Sequence, residues 1–317
     1  MTPNAEGRYP FRHAANEYLR AHYGLLATST YDERVRRFSR MAKDFEALRK
    51  ADKVTTMDPA QLTAEDVKEY FLMLKGRGLS AKGLSHNISA LKVLCFYHGN
   101  AAVDVCRAKY PIIKTRLPTH RLPTTPLTIL SEILDKGNEC QSYERIRNYS
   151  VVVCAYCAGM RPVEIQHARI ENLNTSDGVI YIDVVKGQGS YGEPRYIPIH
   201  PEGIEILKKY VHLRNIKFGS KGYLFTSAGR RYFSTNALRF FKTRVENEVS
   251  HKFDFREGRR TFGQMLIDEG VSVEDVAVIM GHRTSRTTEK YYARRTQKSA
   301  MSNILKLWEK RRNEKNE

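Results

Sequence analysis

Residues 110–126 constrain the fold of this chain most, because four prolines interrupt any regular pattern there. Proline lacks an amide hydrogen and restricts the residue before it, so the stretch is predicted to be extended. Basic side chains stand between the prolines, namely Lys114, Arg116 and Arg121. We interpret the stretch as a basic linker that can lie along a phosphate backbone; an ordinary loop is the alternative. The predicted domains are then residues 1–109 and residues 127–317.

The N-terminal domain is predicted to be all-α, with about four helices between residues 11 and 99. Thr63 is a candidate N-cap, because its hydroxyl can accept a backbone hydrogen bond and acidic residues follow it. Ser80 is a candidate cap for the next helix. The apolar residues after each cap follow the spacing of one helix face. They are Val67, Tyr70, Phe71 and Leu74 in the first helix, and Leu84, Ile88, Leu91 and Leu94 in the second.

The second domain is predicted to combine helices with one β-hairpin. Residues 179–185 (VIYIDVV) form the clearest strand, and residues 195–199 return as its partner after a turn at residues 187–194. Helices are predicted at residues 127–136, 143–158, 236–245, 259–269 and 273–280. The predicted fold class is mainly α with a small β-sheet, an all-α N-terminal domain being followed by an α+β domain.

The charge balance indicates a polyanionic partner. The chain has 53 Lys and Arg residues against 35 Asp and Glu residues, a net charge of +18 at pH 7. Neutralising phosphates releases counterions, so this excess favours nucleic-acid binding over a merely soluble basic protein. The sequence contains no apolar run of about 18 residues and shows no signal peptide. It therefore predicts no membrane span and a cytoplasmic location.

The five cysteines do not indicate a disulfide framework, because their number is odd and their spacing irregular. Cys154 and Cys157 form a CxxC pair inside an apolar stretch, without a second pair at zinc-ligand spacing. Two buried helical cysteines are the favoured interpretation, and a zinc or redox site is the alternative. The sequence predicts no metal and no cofactor.

Residues 281–292, GHRTSRTTEKYY, place a Gly-His pair after an apolar helical run and two tyrosines shortly afterwards. This proximity suggests a tyrosine nucleophile beside a proton donor or acceptor. Upstream, Arg256 and Arg259 stand three residues apart at a predicted helix start, so both can lie on one face. Two guanidinium groups on one face match the oxygens of a pentavalent phosphorane.

Two further basic residues are candidates by their placement. Arg161 precedes Pro162, a residue that suits the first turn of a helix, where backbone amides bind anions. Lys186 ends the predicted strand at the mouth of the hairpin. Taken singly, each of these side chains is more often an ordinary surface residue, and the stronger signal is their order along the chain.

With these motifs, the chain resembles the tyrosine recombinases of the phage integrase family. The family has a G-[LM]-R-x-x-E-[IL] box, a hairpin lysine, His or Lys-x-x-Arg before Thr-Phe, and a Gly-His pair with a tyrosine nine residues after the histidine. The matching residues here are Arg161 in GMRPVEI, Lys186, Arg259 in RRTF, His282 and Tyr291. The spacing favours Tyr291 over Tyr292. The resemblance spans nearly the whole chain, since the family also has a helical core-binding domain before a basic linker.

The resemblance implies site-specific DNA recombination. Tyr291 would attack a phosphodiester, forming a 3′-phosphotyrosyl link and releasing a 5′-hydroxyl. Arg161 and Arg259 would stabilise charge on the phosphate oxygens, and Lys186 would protonate the leaving oxygen. Neither ATP nor a metal would be needed, because the covalent link stores the bond energy. The implied partners are double-stranded DNA with a specific recombination site and further copies of the chain, as a tetramer on paired sites.

Arg256 departs from the family pattern, which usually has His or Lys at this position. Arginine stays protonated and cannot act as a general base, although it can donate hydrogen bonds to the scissile phosphate. The acid–base work would then fall to Lys186 and His282.

Two other functions stay open on the sequence alone. A type IB topoisomerase-like enzyme uses similar chemistry without a tetramer, but the separate core-binding-like domain favours recombination. A catalytically inactive DNA-binding protein of the same fold gains some support from Arg256. A predicted terminal helix would suit docking either on its own domain or on a neighbouring protomer, through Met301, Ile304, Leu305 and Trp308.

Overall fold

The computed structural model describes residues 9–111, 123–185, 192–228 and 231–282. The chain forms two compact units, which we call the N-terminal unit (Met1–Pro118) and the C-terminal unit (Thr119–Glu317). The domain boundaries expected at residues 109 and 127 stay predictions. In the ranges described, no helix is both long enough and apolar enough to span a membrane.

The described part of the N-terminal unit is all-α, as predicted. Its helices are α1 (Pro10–Ala21), α2 (Thr28–Lys50), α3 (Ala64–Gly76), α4 (Ala81–Tyr97) and α5 (Ala102–Lys109). Thr63 caps α3 and Ser80 caps α4, and the apolar stripes predicted for both helices are buried. About four helices were predicted between residues 11 and 99, and α1 to α4 lie there. Helix α5, which begins at Ala102, was not predicted.

The C-terminal unit is organised around one buried helix. Its elements are α6 (Leu127–Glu139), α7 (Tyr143–Tyr156), α8 (Pro162–His167), β1 (Leu173–Asn174), β2 (Val179–Ile182), β3 (Arg195–Pro198), α9 (Pro201–Phe218), α10 (Thr235–Glu248), α11 (Phe255–Asp268) and α12 (Val273–Ile279). Helices α6, α9, α10 and α11 pack against α7. The second half of α7 is buried on all sides, which explains its continuous apolar run.

The three strands form an antiparallel sheet in the order β1-β2-β3. In the β2–β3 pair, Ile182 lies opposite Arg195 and Val179 lies opposite Pro198, so the predicted pairing of the hairpin is confirmed. Strand β2 is shorter than the predicted residues 179–185, since it ends at Ile182. The sequence prediction omitted β1, which has only 2 residues, and it also omitted helix α9. Residues 186–191, which hold most of the predicted turn, lie outside the described residues.

All five cysteines are buried free thiols. Cys154 lies in α7 and Cys157 follows its last residue, which confirms the interpretation as buried helical cysteines. Burial, together with Glu202, raises the pKa of the Cys157 thiol to about 12. Such a thiol stays protonated and is a poor nucleophile or metal ligand. Across the described ranges, no group of three or more His, Cys, Asp or Glu residues is placed to hold a metal ion.

Candidate active site

Arg161 is positioned by a tight turn between α7 and α8. Gly159 in this turn has a φ of +58°, and a Cβ atom there would collide with the ring of Phe262. Only glycine meets both conditions. Arg161 itself is the N-cap residue of α8, and Pro162 begins the helix, as the sequence predicts. The turn directs the Arg161 side chain toward the end of α12.

The Arg161 guanidinium joins α8 to the end of α12. Nη1 donates to Oε1 of Glu164 at 2.8 Å, and Nη2 donates to the carbonyl oxygen of Gly281 at 2.8 Å. The Arg161 backbone amide donates to Oε2 of Glu164 at 2.8 Å, which fixes the carboxylate relative to α8. The Arg161 side chain is 22% exposed, so part of it stays accessible to a ligand.

Arg259 reaches the same place from α11, and its side chain is buried. Nη1 donates to the carbonyl oxygen of Gly159, and Nη2 donates to that of Met280. Nη2 also lies 3.4 Å from Nε2 of His282, and Nη1 lies 3.8 Å from Oε2 of Glu164. The structure therefore brings together three of the predicted site residues, namely Arg161, Arg259 and His282.

Glu164 lies at the centre of this cluster, although in the sequence it stands out only as the acidic residue of the GMRPVEI motif. Its side chain is fully buried. Burial raises the pKa of the carboxyl group, but Arg195, Arg259 and Arg161 outweigh burial and hold that pKa below its usual value. An ionised carboxylate in this position orients the guanidinium groups around it.

Arg195, the first residue of β3, was also missed by the sequence analysis. Its Nη2 lies 3.1 Å from each carboxylate oxygen of Glu164, and its Nε donates to the carbonyl oxygen of Ile279 at 2.8 Å. A signal for it exists in the sequence, because alternate residues of a strand point to the same face. Arg195 therefore shares a face with Ile197, which is fully buried.

Three successive carbonyl oxygens at the end of α12 each accept a hydrogen bond from a different arginine. The pairs are Arg195 with Ile279, Arg259 with Met280, and Arg161 with Gly281. The C-terminal end of a helix carries partial negative charge, which stabilises cations there. Together with Glu164, this helix end gathers three guanidinium groups into one site.

His282 follows the end of α12, and its backbone amide donates to the carbonyl oxygen of Ala277 at 2.9 Å. Burial, together with the positive charges of Arg259, Arg161 and Arg195, lowers the pKa of His282 to about 3. The imidazole is therefore neutral near pH 7, with one ring nitrogen able to donate a hydrogen bond. The site therefore combines one neutral hydrogen-bond donor, the imidazole of His282, with the charged guanidinium groups of the arginines.

Of the other predicted site residues, only Arg256 lies in the described ranges, and it makes none of the contacts of this cluster. Arg256 lies in the first turn of α11 with its side chain exposed, and it forms no hydrogen bond or ion pair within the described ranges. Lys186, Tyr291 and Tyr292 lie outside the described residues, as does the predicted terminal helix. Their assignments stay predictions. The cluster itself has the donors and the positive charge needed to bind an oxyanion such as a phosphodiester.

Comparison with known proteins identifies the family. Residues 129–298, more than half of the chain, match the family described as phage integrase. The chain belongs to the phage integrase family. Over 251 residues it is 24% identical to the tyrosine recombinase XerC of Leptospira interrogans, a match that covers 74% of this chain and 75% of that protein. It is also 24% identical over 234 residues to the tyrosine recombinase XerA of Pyrococcus furiosus, covering 72% and 76% of the two chains.

Solved structures of integrases have the same fold. The Tn1549 transposon integrase in complex with transposon right-end DNA superposes with a TM-score of 0.67 at 18% identity, covering 94% of this chain and 99% of that one. The lambda integrase dimer bound to a COC′ core site gives a TM-score of 0.61 at 14% identity, with coverage of 88% and 76%. The predicted family and the predicted fold class, mainly α with a small antiparallel sheet, are thereby confirmed.

Proposed function

We propose that this protein is a site-specific DNA recombinase that cleaves and rejoins DNA through a 3′-phosphotyrosyl intermediate. The observation that carries the proposal is the convergence of Arg161, Arg259 and His282 at the end of α12. Guanidinium groups there can hold the non-bridging oxygens of a phosphodiester. Tyr291 stands nine residues after His282, the family spacing, and membership in the phage integrase family supports the same chemistry.

The covalent step has a balanced sequence of bond changes. Tyr291 releases its phenolic proton to solvent, its oxygen attacks phosphorus, the bond to the 5′-oxygen breaks, and Lys186 protonates that oxygen as it leaves. In rejoining, the 5′-hydroxyl of another strand attacks the phosphotyrosine and releases Tyr291. Rejoining reverses these proton transfers, so Lys186 and Tyr291 both regain their protons. One phosphodiester is exchanged for another, so the reaction needs neither ATP nor a metal.

The remaining site residues act on the charge of the transition state. Arg161 and Arg259 stabilise the non-bridging oxygens, because charge on them grows as the fifth bond to phosphorus forms. Arg256 and the neutral His282 donate further hydrogen bonds. Arg256 takes no part in proton acceptance, since arginine stays protonated.

The proposed partner is double-stranded DNA with a specific recombination site. The net charge of +18 supports DNA binding. We assign residues 1–109 to a DNA-binding domain, residues 110–126 to a basic linker and residues 127–317 to the catalytic domain. Four copies assemble on two paired sites, as the family resemblance implies, and the protein works on DNA in the cytoplasm.

A nicked suicide substrate tests this function, because loss of the short cleaved fragment traps the covalent adduct. The site is found first by incubating the protein with nicked duplexes of randomised sequence and sequencing the DNA that stays covalently attached. We expect adduct from the wild type and from Tyr292→Phe, the matched control, and none from Tyr291→Phe. Absence of adduct from the wild type across the pool would refute the enzymatic function and favour an inactive DNA-binding protein. Loss only in Tyr292→Phe would move the nucleophile to that residue.

A topoisomerase-like enzyme would form the same adduct, so strand exchange must be measured separately. A plasmid with two sites should yield recombinant products, and sedimentation should detect four protomers on two DNA sites. Relaxation without exchange, by protomers that stay monomeric on DNA, would support the topoisomerase alternative instead.

A further inference from the structure

Arg195 is a buried arginine outside the residue set that the family motifs select. Its side chain is 10% exposed, and two of its nitrogens donate hydrogen bonds. Nη2 contacts both oxygens of Glu164 at 3.1 Å, and Nε contacts the carbonyl oxygen of Ile279 at 2.8 Å. One guanidinium thus ties β3 to α8 and to the end of α12.

Arg195 also packs against the backbone immediately before His282. A Cβ atom on Gly281 would lie 2.8 Å from Cζ of Arg195, closer than side chains tolerate. Gly281 has a φ of +59°, a left-handed conformation that glycine adopts without strain. The guanidinium therefore occupies the space that a larger residue would need, and it holds the segment from Ile279 to His282 from one side.

The charges around Glu164 are not balanced. Arg161, Arg195 and Arg259 all lie within 4.0 Å of its single carboxylate, at 2.8, 3.1 and 3.8 Å. Three positive charges against one negative charge leave an excess of two, which suits a site for an anionic phosphate. Without Arg195, the carboxylate would act on Arg161 and Arg259 alone, neutralising part of their charge and turning their donors toward itself.

We propose that Arg195 is a positioning residue for strand cleavage. By engaging Glu164 and the carbonyl oxygen of Ile279, it keeps the Arg161 and Arg259 guanidinium groups and His282 in the arrangement that receives the scissile phosphate. This inference rests on the proposed function. It differs from a role in folding alone, in which Arg195 would only neutralise a buried carboxylate.

Arg195→Met tests the proposal, because methionine keeps much of the apolar volume and removes every donor. The matched control is Arg214→Met in α9, since Arg214 is also buried and donates to the backbone carbonyl oxygens of Gly219, Lys221 and Tyr223. For each variant we measure the single-turnover rate of adduct formation at saturating DNA, the Kd for DNA and the Tm. All rates are measured at a temperature at which the wild type and every variant are folded.

Arg195→Met should slow cleavage by about ten- to a hundredfold, because misplaced catalytic groups cost this much. Its Kd for DNA should stay within about threefold of the wild-type value, since most phosphate contacts are elsewhere. Arg214→Met should lower the Tm and leave the cleavage rate unchanged. Arg195→Lys should recover part of the rate, because an ammonium group can neutralise Glu164 without also reaching Ile279.

The double variant Glu164→Gln/Arg195→Met distinguishes positioning by Arg195 from neutralisation of the Glu164 charge. It also keeps the proposal testable if Arg195→Met alone does not fold. It removes one negative and one positive charge, so the excess of two positive charges at the site is unchanged. The double variant should therefore fold but should not regain the wild-type rate. Full recovery of the rate in the double variant would overturn the proposal. So would a wild-type rate in Arg195→Met, or a loss that lies entirely in DNA affinity. A wild type that forms no adduct would refute the proposed function instead, so the two failures are distinguishable.

Discussion

Asp66 in the N-terminal unit and Glu164 in the C-terminal unit are both buried carboxylates, but their surroundings differ in charge. Asp66 accepts hydrogen bonds from the amide and the hydroxyl of Thr55 and from the same two groups of Thr63. These donors are neutral and close in sequence. Glu164 instead faces three guanidinium groups from α8, β3 and α11.

We infer from this difference that Asp66 stabilises the fold, whereas Glu164 orients the charged groups of the candidate active site. The contacts of Asp66 satisfy the first turn of α3 and bring no positive charge that could bind an anion. The contacts of Glu164 leave an excess of positive charge, and such an excess is stabilised when an anion binds. We expect substitutions at Asp66 to change stability alone, and substitutions around Glu164 to change both stability and cleavage.

The largest expected effect on cleavage within this contrast comes from Arg259→Ala. Removing one preorganised donor from a developing oxyanion typically costs a factor of about 10²–10³ in rate. Arg259→Ala should therefore slow single-turnover adduct formation by at least this factor. Asp66→Asn, measured at saturating DNA, should stay near the wild-type rate. Equal cleavage rates for Arg259→Ala and Asp66→Asn would show that the surroundings of Glu164 matter no more for cleavage than those of Asp66.

Glu164→Gln should lower stability more than Asp66→Asn. Leaving buried charges without their partner costs about 3–5 kcal/mol, whereas weakening one hydrogen-bonded acceptor costs about 1–3 kcal/mol. Sulfate should raise the Tm of Glu164→Gln more than that of Asp66→Asn, because an anion that binds the folded state stabilises it. Thermal unfolding with and without sulfate measures both effects. A sulfate response of the same size in the two variants would show that no positive excess exists at the site.

Arg256→Lys should have a smaller effect than any change at Arg259. Arg256 is exposed, whereas the Arg259 guanidinium donates to the carbonyl oxygens of Gly159 and Met280. A lysine at position 256 keeps a phosphate-binding charge, so cleavage should fall by less than about tenfold, under 1.4 kcal/mol in barrier. The control is Arg259→Lys, which should lose far more because lysine lacks the fork geometry. A loss at position 256 as deep as that of Arg161→Ala would show that the fork is needed there too.

The smallest expected effect is the response of His282 to pH in the DNA-free protein. With a pKa of about 3, its imidazole signals in NMR should stay constant from pH 8 to pH 5, whereas an ordinary histidine titrates near 6.5. The unfolded chain binds a proton in this window that the folded chain does not bind. This group therefore lowers stability as pH falls from about 6.5 toward 3. His282→Gln assigns the signals, and a midpoint near pH 6–7 would show that neither burial nor the arginines lower the pKa of this ring.

Much of the fold and part of the site could be predicted from local pattern. The caps Thr63 and Ser80 act within four residues of themselves, and the apolar stripes of α3 and α4 repeat within each helix. Strand β1 was missed because its 2 residues are too few to show alternation. Helix α9 was missed as well. Arg161, Arg259 and His282 were found because each lies in a short motif whose spacing is visible in the chain.

The roles of Glu164 and Arg195 could not be found in this way. The contact between them joins residues 31 positions apart, and the contact between Arg195 and Ile279 joins residues 84 positions apart. A repeating pattern of neighbouring residues does not indicate contacts between residues this far apart in the sequence. The alternation of β3 does indicate that Arg195 faces the core, but it does not indicate which carboxylate lies there.

The sequence by itself determined the fold class, the family and the candidate residues, because periodicity, capping and motif spacing are properties of neighbouring residues. The tertiary structure decided which charged groups lie together, because it brings three arginines to Glu164 and to three successive carbonyl oxygens. It also decided that Arg256 is exposed and that His282 is neutral near pH 7. The physical reason is that burial and electrostatic energy depend on distances in space, and packing sets those distances.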